Sequence, residues 1–301
     1  MSHVFSSREI EQFIELGWVR LSGAYRPEDA LSVQNVIWHH IEERGVHQSD
    51  PSTWTEALVH LRESYSGPEF DRCNTVRLQQ AIEELVGEDR LLNRDHPAWG
   101  WWPVNFSVGA DRPWTVPDRG WHWDGHHFRH FVDSPDQGLL CLCVFSEIGP
   151  RGGGTLLAEG SHRVVARLLD AHPEGIELVD AITELNQTHA WFGSLTNQRS
   201  PSLDGELAGE TSGPDRVERF MQSTYRDHTG QGLRVIELTA DPGDVFLCHP
   251  FLYHAASQNH SGKPRFLCNR IGTLKTPMRI RKPRSQGHWS PVEVSIHQAL
   301  S

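Results

Sequence analysis

The chain has 301 residues and a net charge of −11, with 39 acidic side chains against 28 Lys and Arg. That balance excludes broad nucleic-acid binding, which rests on neutralising phosphates with Lys and Arg. No apolar run approaches the roughly 20 residues that a membrane-spanning helix needs.

Ser6 followed three residues later by Glu9 predicts a capping box that opens a first helix, and Gly17 ends it. A second helix is expected from near Pro27 to about Arg44, with Ala30, Leu31, Val33, Val36 and Ile37 inward. Residues 45–75 are polar and read as irregular. Arg77 to Val86 predicts a third helix with Leu78, Ile82 and Leu85 on one side. These give a helical N-terminal part over about 6–90.

From 101 onward the pattern changes to strands alternating with turns. Trp101 to Val108 looks like a strand, and Leu139 to Phe145 is a continuous apolar run suited to a fully buried one. Ser161 is a plausible N-cap for a helix whose apolar face holds Val164, Val165, Leu168 and Leu169, with His162 at its start. Residues 193–232 are rich in Gly, Ser, Asp and Pro and read as an insertion between core strands, either a lid or a disordered segment. Arg234 to Thr239 reads as a strand. Asp241, Pro242, Gly243 and Asp244 have the order of a type II turn. Two apolar runs follow, Val245 to Cys248 and Phe251 to His254, and Arg265 opens the last, which reaches Ile271.

The chemistry lies in two separated motifs. In an extended segment His122 and Asp124 share a face, with Trp121 and Trp123 pointing away. With 19 His, roughly one such His-x-Asp arises by chance, and ordinary hydrogen bonding is the plain reading of the tripeptide alone. His254, at the end of a buried run, supplies a second imidazole. His249, five residues earlier, competes with it, although Pro250 interrupts the strand between them. Two His and one carboxylate form the facial triad of non-haem Fe(II) oxygenases, which leaves positions for a cosubstrate and O2. Arg265 suits a cosubstrate carboxylate through paired hydrogen bonds. Asn105, on one strand face with Ser107, is a tentative further cosubstrate contact.

Other features have plainer readings. His126, His127 and His130 read as solvated loop histidines, with substrate contact as the alternative. Trp101, Trp102, Trp114, Trp121 and Trp123 crowd the first motif and read as core, or else as a stacking wall. Trp191, Phe192 and Tyr225 could add a movable one. Lys275, Arg279, Arg281, Lys282 and Arg284 form a basic run, read as a solvated tail or as a recruiter of anionic substrate. Five Cys without zinc-ligand spacing predict buried free thiols and a reducing, cytoplasmic setting. The first residues lack the charged start and apolar core of a signal peptide.

The order of these motifs resembles the phytanoyl-CoA dioxygenase family. It runs from His122-x-Asp124, through Pro-Gly-Asp-Val-Phe-Leu-x-His-Pro-x-x-x-His ending at His254, to an Arg eleven residues beyond. The block from Gly152 to His162 and the helix-to-strand start from Ser7 to Ser22 resemble it too, so the likeness covers about residues 5–275. It implies a mainly β chain with flanking helices, its core a cupin-like double-stranded β-helix, or jelly roll. Residues 1–301 would then form a single domain, with the core over about 100–275. The resemblance assigns iron to His122, Asp124 and His254, and the C5 carboxylate of 2-oxoglutarate to Arg265. The implied enzyme uses Fe(II), 2-oxoglutarate and O2 to hydroxylate or otherwise oxidise a small organic molecule, a secondary metabolite, releasing succinate and CO2. A small-molecule substrate is then the expected partner, with neither nucleic acid nor membrane; the oligomeric state is left open. Ala255 and Ala256 stand where many members have Gly-Ser, and Glu159 where many have Pro. The alternatives are a non-catalytic metal-binding jelly roll and an iron dioxygenase that does not use 2-oxoglutarate; an arginine at position 265 speaks against both.

Overall fold

The computed structural model describes residues 3–92, 94–95, 97–198, 213–281 and 288–301. Helix α1 (Ser7–Leu16) opens with the reciprocal Ser6–Glu9 capping box and closes at Gly17, whose φ of 89° is left-handed. Strand β1 (Trp18–Leu21) follows. Helix α2 (Pro27–Glu42) starts with Pro at its first position, and α4 (Val76–Val86) is capped by Thr75. Between them the chain is more ordered than its polarity suggests. It forms β2 (Leu58–Leu61) and α3 (Pro68–Cys73), because Val59, Leu61, Phe70 and Cys73 bury against the core, with Trp54 and Tyr65 packed beside them.

The remaining strands are β3 (Trp102–Asn105), β4 (Leu139–Val144), β5 (Leu156–Glu159), β6 (Tyr225–Arg226), β7 (Gly232–Glu237), β8 (Val245–Cys248), β9 (His254–Ala255) and β10 (Leu267–Gly272). They build two four-stranded antiparallel sheets, in the orders β1-β8-β4-β10 and β6-β7-β5-β9. An Asn105–Arg265 bridge attaches the β2–β3 pair beside β10. This is a double-stranded β-helix, as expected.

Strand β4 explains its own composition. Leu140, Leu142 and Val144 face a cluster shared with Phe246, Cys248 and Leu267 of the same sheet and Leu157 of the other. Cys141 and Cys143 face the other way, into the larger cluster with Ala30, Val33 and Ile37 of α2. A strand buried on both faces has no polar positions to alternate with. All five cysteines are buried free thiols.

The turn at Asp241–Asp244 is closed by an Asp244 N–H donating to the Asp241 carbonyl at 3.2 Å. Gly243 has a φ of 99°, and a Cβ there would lie 2.3 Å from the Tyr25 carbonyl oxygen. Only glycine satisfies both conditions.

Between β5 and β6 the described residues form α5 (Ser161–Asp170), α6 (Leu178–Thr188), α7 (Ala190–Thr196) and α8 (Gly213–Val217), with a π-helical turn at Glu218–Gln222. The insertion between core strands is thus wider than 193–232, and residues 199–212 of that span lie outside the described residues. Ser161 is not the N-cap of α5. Gly160 takes that place with a left-handed φ of 79°, and the Ser161 hydroxyl accepts instead from the Tyr253 N–H at 2.9 Å. A final helix, α9 (Pro291–Leu300), carries a second capping box, between Ser290 and Glu293. It touches α1 through the Ser295 hydroxyl, which donates to the Ile14 carbonyl at 3.0 Å.

Candidate metal centre

The two imidazoles come from opposed extended segments. His122 and His254 form an antiparallel bridge in which each backbone N–H donates to the other's carbonyl, at 3.0 and 2.7 Å. Directly opposed residues project to the same side, and their ring centroids lie 4.5 Å apart. Asp124, two residues on, returns its carboxylate to the same point. Its Oδ1 is 3.5 Å from His122 Nε2 and 3.9 Å from His254 Nε2. One ligand atom from each residue fits within 4.8 Å of the others.

The tautomers are set by the backbone. His122 Nδ1 lies 2.8 Å from the Gly120 carbonyl oxygen, and His254 Nδ1 lies 2.9 Å from that of Leu252. Each Nδ1–H therefore donates to a carbonyl, which leaves the Nε2 lone pairs facing the shared point, the arrangement found in metal-bound histidines. His254 Nε2 and Asp124 Oδ2 are buried with no hydrogen-bond partner. Two such orphaned acceptors side by side are costly unless something positive lies between them. Two imidazoles and one carboxylate suit a non-haem iron with open positions.

Burial works against the imidazolium at His122, but the Asp124 carboxylate outweighs it and holds the pKa above the usual 6.5. His254, buried and beside His122, is pushed down to about 4. A metal must therefore displace a proton from His122 as pH falls, whereas His254 stays neutral. Metal affinity is expected to drop about tenfold per pH unit once pH passes below the His122 pKa, because one proton competes for one ligand. Competition against a coloured chelator between about pH 5 and pH 8 reads this directly; an affinity flat across that range would contradict it.

The ligand loop is held from behind. Trp121 stacks on Tyr253 at 5.8 Å and Trp123 lies 6.1 Å from it, while the Tyr253 hydroxyl donates to Asn186 of α6 at 3.0 Å. Trp102, Trp121 and Trp123 are core residues; Trp101 is 42% exposed. Trp191 and Phe192 are also buried core, packed on Phe220 and Tyr253, so they form no movable wall. His130 is buried rather than solvated. It accepts from Trp123 Nε1 at 3.3 Å, and its Nε2 lies 2.9 Å from the Gly125 carbonyl oxygen, fastening the loop that leaves Asp124. His126 and His127 are exposed. His249 packs on His162 and Phe251, away from the ligand cluster.

Sequence reasoning missed Arg216. Its buried guanidinium donates to the carbonyls of Val116 at 2.7 Å, Pro117 at 3.0 Å and Leu195 at 2.5 Å. Asn197 donates to Asp118 at 3.0 Å. Both described margins of the insertion thus grip the segment just before His122. A lone Arg in a polar stretch gives no sequence signal for such a clamp.

Arg265 is 2% exposed. It donates from Nε to the Gly153 carbonyl at 2.9 Å and from Nη1 to that of Pro103 at 3.0 Å. No carboxylate pairs with it among the described residues, and burial alone lowers its pKa to about 10. His60 of β2 lies close enough for the Arg265 charge, after desolvation and Arg62, to help lower its own pKa. The His60 Nδ1 is buried without a partner. Asn105 is fully buried. It donates to the Ser257 carbonyl at 3.0 Å and accepts from Val108 N–H at 3.0 Å, which leaves one amide hydrogen uncommitted. Ser257 has its hydroxyl toward Glu237 at 3.4 Å. In the basic run, Lys275 pairs with Asp89 and Arg281 with Asp170, while Lys282 and Arg284 lie outside the described residues.

A jelly roll with two imidazoles and a carboxylate converging between its sheets defines a cupin-like protein with a site for a single metal ion. The family model for phytanoyl-CoA dioxygenase matches residues 39–267. The chain belongs to that family, and is accordingly a 2-oxoglutarate-dependent non-haem iron dioxygenase. No curated protein matches the chain in sequence. Among solved structures it is similar to EctD from S. alaskensis with 2-oxoglutarate and 5-hydroxyectoine. That match has 15% identity and a TM-score of 0.53, over 94% of this chain and 83% of the other. It is also similar to HygX from Streptomyces hygroscopicus with nickel and 2-oxoglutarate bound, at 15% identity and a TM-score of 0.47, over 91% and 90%. No described helix is long and apolar enough to cross a membrane.

Proposed function

We propose that His122, Asp124 and His254 hold Fe(II), that Arg265 receives the distal carboxylate of 2-oxoglutarate, and that the chain, acting as one catalytic domain, oxidises a C–H bond of a small organic molecule. A secondary metabolite is the substrate class this reading favours. The observation that carries it is the convergence of three ligand atoms within 4.8 Å, with both Nδ1 atoms tied back to carbonyls. Iron with 2-oxoglutarate and O2 supplies the oxidising power, and the cosubstrate leaves as succinate and CO2.

The protein's share is orientation and exclusion of competing reactions. Arg265 offers a fixed positive charge in a buried place with no counter-charge among the described residues, which suits a dianionic cosubstrate. His60, kept neutral by burial and the cations around it, is placed to donate a hydrogen bond at the same end. The spare Asn105 amide hydrogen is a third candidate donor.

The test is anaerobic. Fe(II) and then 2-oxoglutarate are added to metal-free protein, and the weak visible charge-transfer band of the chelate is sought. Its appearance at one equivalent of iron supports the reading. Iron bound without a band would leave a metal-binding jelly roll or a dioxygenase with another cosubstrate.

A further inference from the structure

The three proposed ligands are not oriented alike. The imidazoles of His122 and His254 each tie their Nδ1–H to a backbone carbonyl, those of Gly120 and Leu252. A ligating carboxylate is normally held by hydrogen bonds of its own. Asp124 has none. Among the described residues its carboxylate pairs only with the two ligand imidazoles, at 3.5 and 3.9 Å, and its Oδ2 is buried without a partner. Its aim must therefore come through the chain on either side of it, at Trp123 and Gly125.

Both neighbours are held by one side chain. His130 is buried between them. Its Nδ1 accepts from Trp123 Nε1 at 3.3 Å, and its Nε2–H donates to the Gly125 carbonyl at 2.9 Å. An indole N–H can only donate and a carbonyl can only accept, so the pair fixes a neutral imidazole in one tautomer. Burial lowers the His130 pKa and so favours that neutral form. Gly125 has a φ of 121°, and a Cβ there would lie 2.6 Å from His130 Cε1 and from Phe128 Cζ. Glycine is required for the chain to pass this close to the ring. The segment that carries the ring is anchored to the insertion. The His130 N–H donates to the Ile176 carbonyl at 2.8 Å, and the Ile176 N–H to that of His130 at 3.0 Å. Arg129 reinforces this by donating to the Glu174 and Gly175 carbonyls, at 2.9 and 2.7 Å, and to the Glu177 carboxylate, at 2.9 Å. Glu177 is the N-cap of α6. The same helix carries Asn186, which holds Tyr253 next to His254. One helix therefore braces both ligand segments.

We propose that His130 is a positioning residue for Asp124. By tying residues 123 and 125 to one rigid ring, it fixes the direction in which the residue between them projects its carboxylate. Helix α6 carries the same constraint across to His254. The proposal rests on the reading of Asp124 as a metal ligand. It goes beyond that reading by assigning the carboxylate's aim to a side chain that is not itself a ligand. A residue that only packs is replaceable by a ring of its size, whereas a positioning residue needs its hydrogen bonds.

The experiment adds Co(II), as a stand-in for Fe(II), to the metal-free full chain. Its visible absorption reports the number and arrangement of ligands, and the same titration gives the affinity. His130→Phe keeps a ring of similar size and loses both hydrogen bonds. It is expected to weaken Co(II) binding by roughly tenfold or more, the range seen when an outer partner of a metal ligand is lost, and to alter the band. His130→Gln places an amide N–H near the former Nε2, and His130→Asn an amide oxygen near the former Nδ1. The Gly125 bond is the shorter of the two, so Gln should restore affinity and band further than Asn. Wild-type affinity and band in His130→Phe, even with a lower melting temperature, would make His130 a packing residue and overturn the proposal. Gln and Asn variants that bind Co(II) alike would also overturn it, and that comparison decides the matter should His130→Phe fail to fold. A wild type that binds no Co(II) would overturn the metal assignment and this proposal together. A wild type that binds beside unaffected variants would overturn this proposal alone.

Discussion

Asp124→Ala is expected to lower turnover of 2-oxoglutarate by about a thousandfold or more. Loss of an outer partner of a metal ligand already costs roughly 10- to 100-fold in metal affinity or activity, and Asp124 is the only anionic member of the ligand set. The same substitution has a second signature. The Asp124 carboxylate is what holds the His122 pKa above 6.5 against burial. Without it His122 should titrate lower, and whatever metal affinity remains should lose its fall with decreasing pH near neutrality. Succinate release gives the first effect and chelator competition across pH the second. A variant that kept both activity and pH slope would remove Asp124 from the centre.

Arg265→Met is expected to separate cosubstrate binding from stability. A planar guanidinium facing a carboxylate contributes two charge-assisted bonds, so KM for 2-oxoglutarate should rise roughly 100- to 1,000-fold. The ligand-free protein should unfold within a few degrees of wild type. Methionine forgoes hydrogen bonds to two carbonyls, those of Gly153 and Pro103, but it also removes a buried charge that has no counter-ion among the described residues. Thermal unfolding with and without 2-oxoglutarate reads both sides. At a hundred times the wild-type Kd, the wild type should gain about 2.7 kcal/mol and the variant almost nothing. A large loss of stability with KM intact would make Arg265 a structural residue.

Much of this was legible before any coordinates. The Ser6–Glu9 capping box, Pro27 at a helix start and the Pro242–Gly243 turn are local chemistry, and local chemistry is what sequence records best. The spacing of His122, Asp124, His254 and Arg265 was visible because the order of motifs is long and specific. The helices α6 and α9 were not foreseen. The signal is weak at α6, whose N-cap Glu177 makes no side-chain capping bond. At α9 the signal is present in Ser290, Pro291 and Glu293, which form a capping box with proline at the first helical position. Ser161 looked like a cap, but the chain passing beside it, at Tyr253, claimed its hydroxyl. His130 reads as a solvated loop histidine, yet the structure buries it against Trp123 and the Gly125 carbonyl. Arg216 gives no signal, because the carbonyls of Val116 and Pro117 that it grips lie about 100 residues away in sequence.

The reciprocal bridge between His122 and His254 has a consequence for how the protein comes into being. The two proposed ligands stand 132 positions apart, and the described residues between them contain three strands of one sheet, two of the other and all the described helices of the insertion. A nascent chain therefore holds His122 and Asp124 in the open while the next 132 residues are made, with nothing to complete the centre until residue 254 has left the ribosome. Contacts of such long range make folding slow and late. Iron loading should accordingly follow release of the chain, and nascent fragments ending before β9 should bind metal no better than an unstructured peptide.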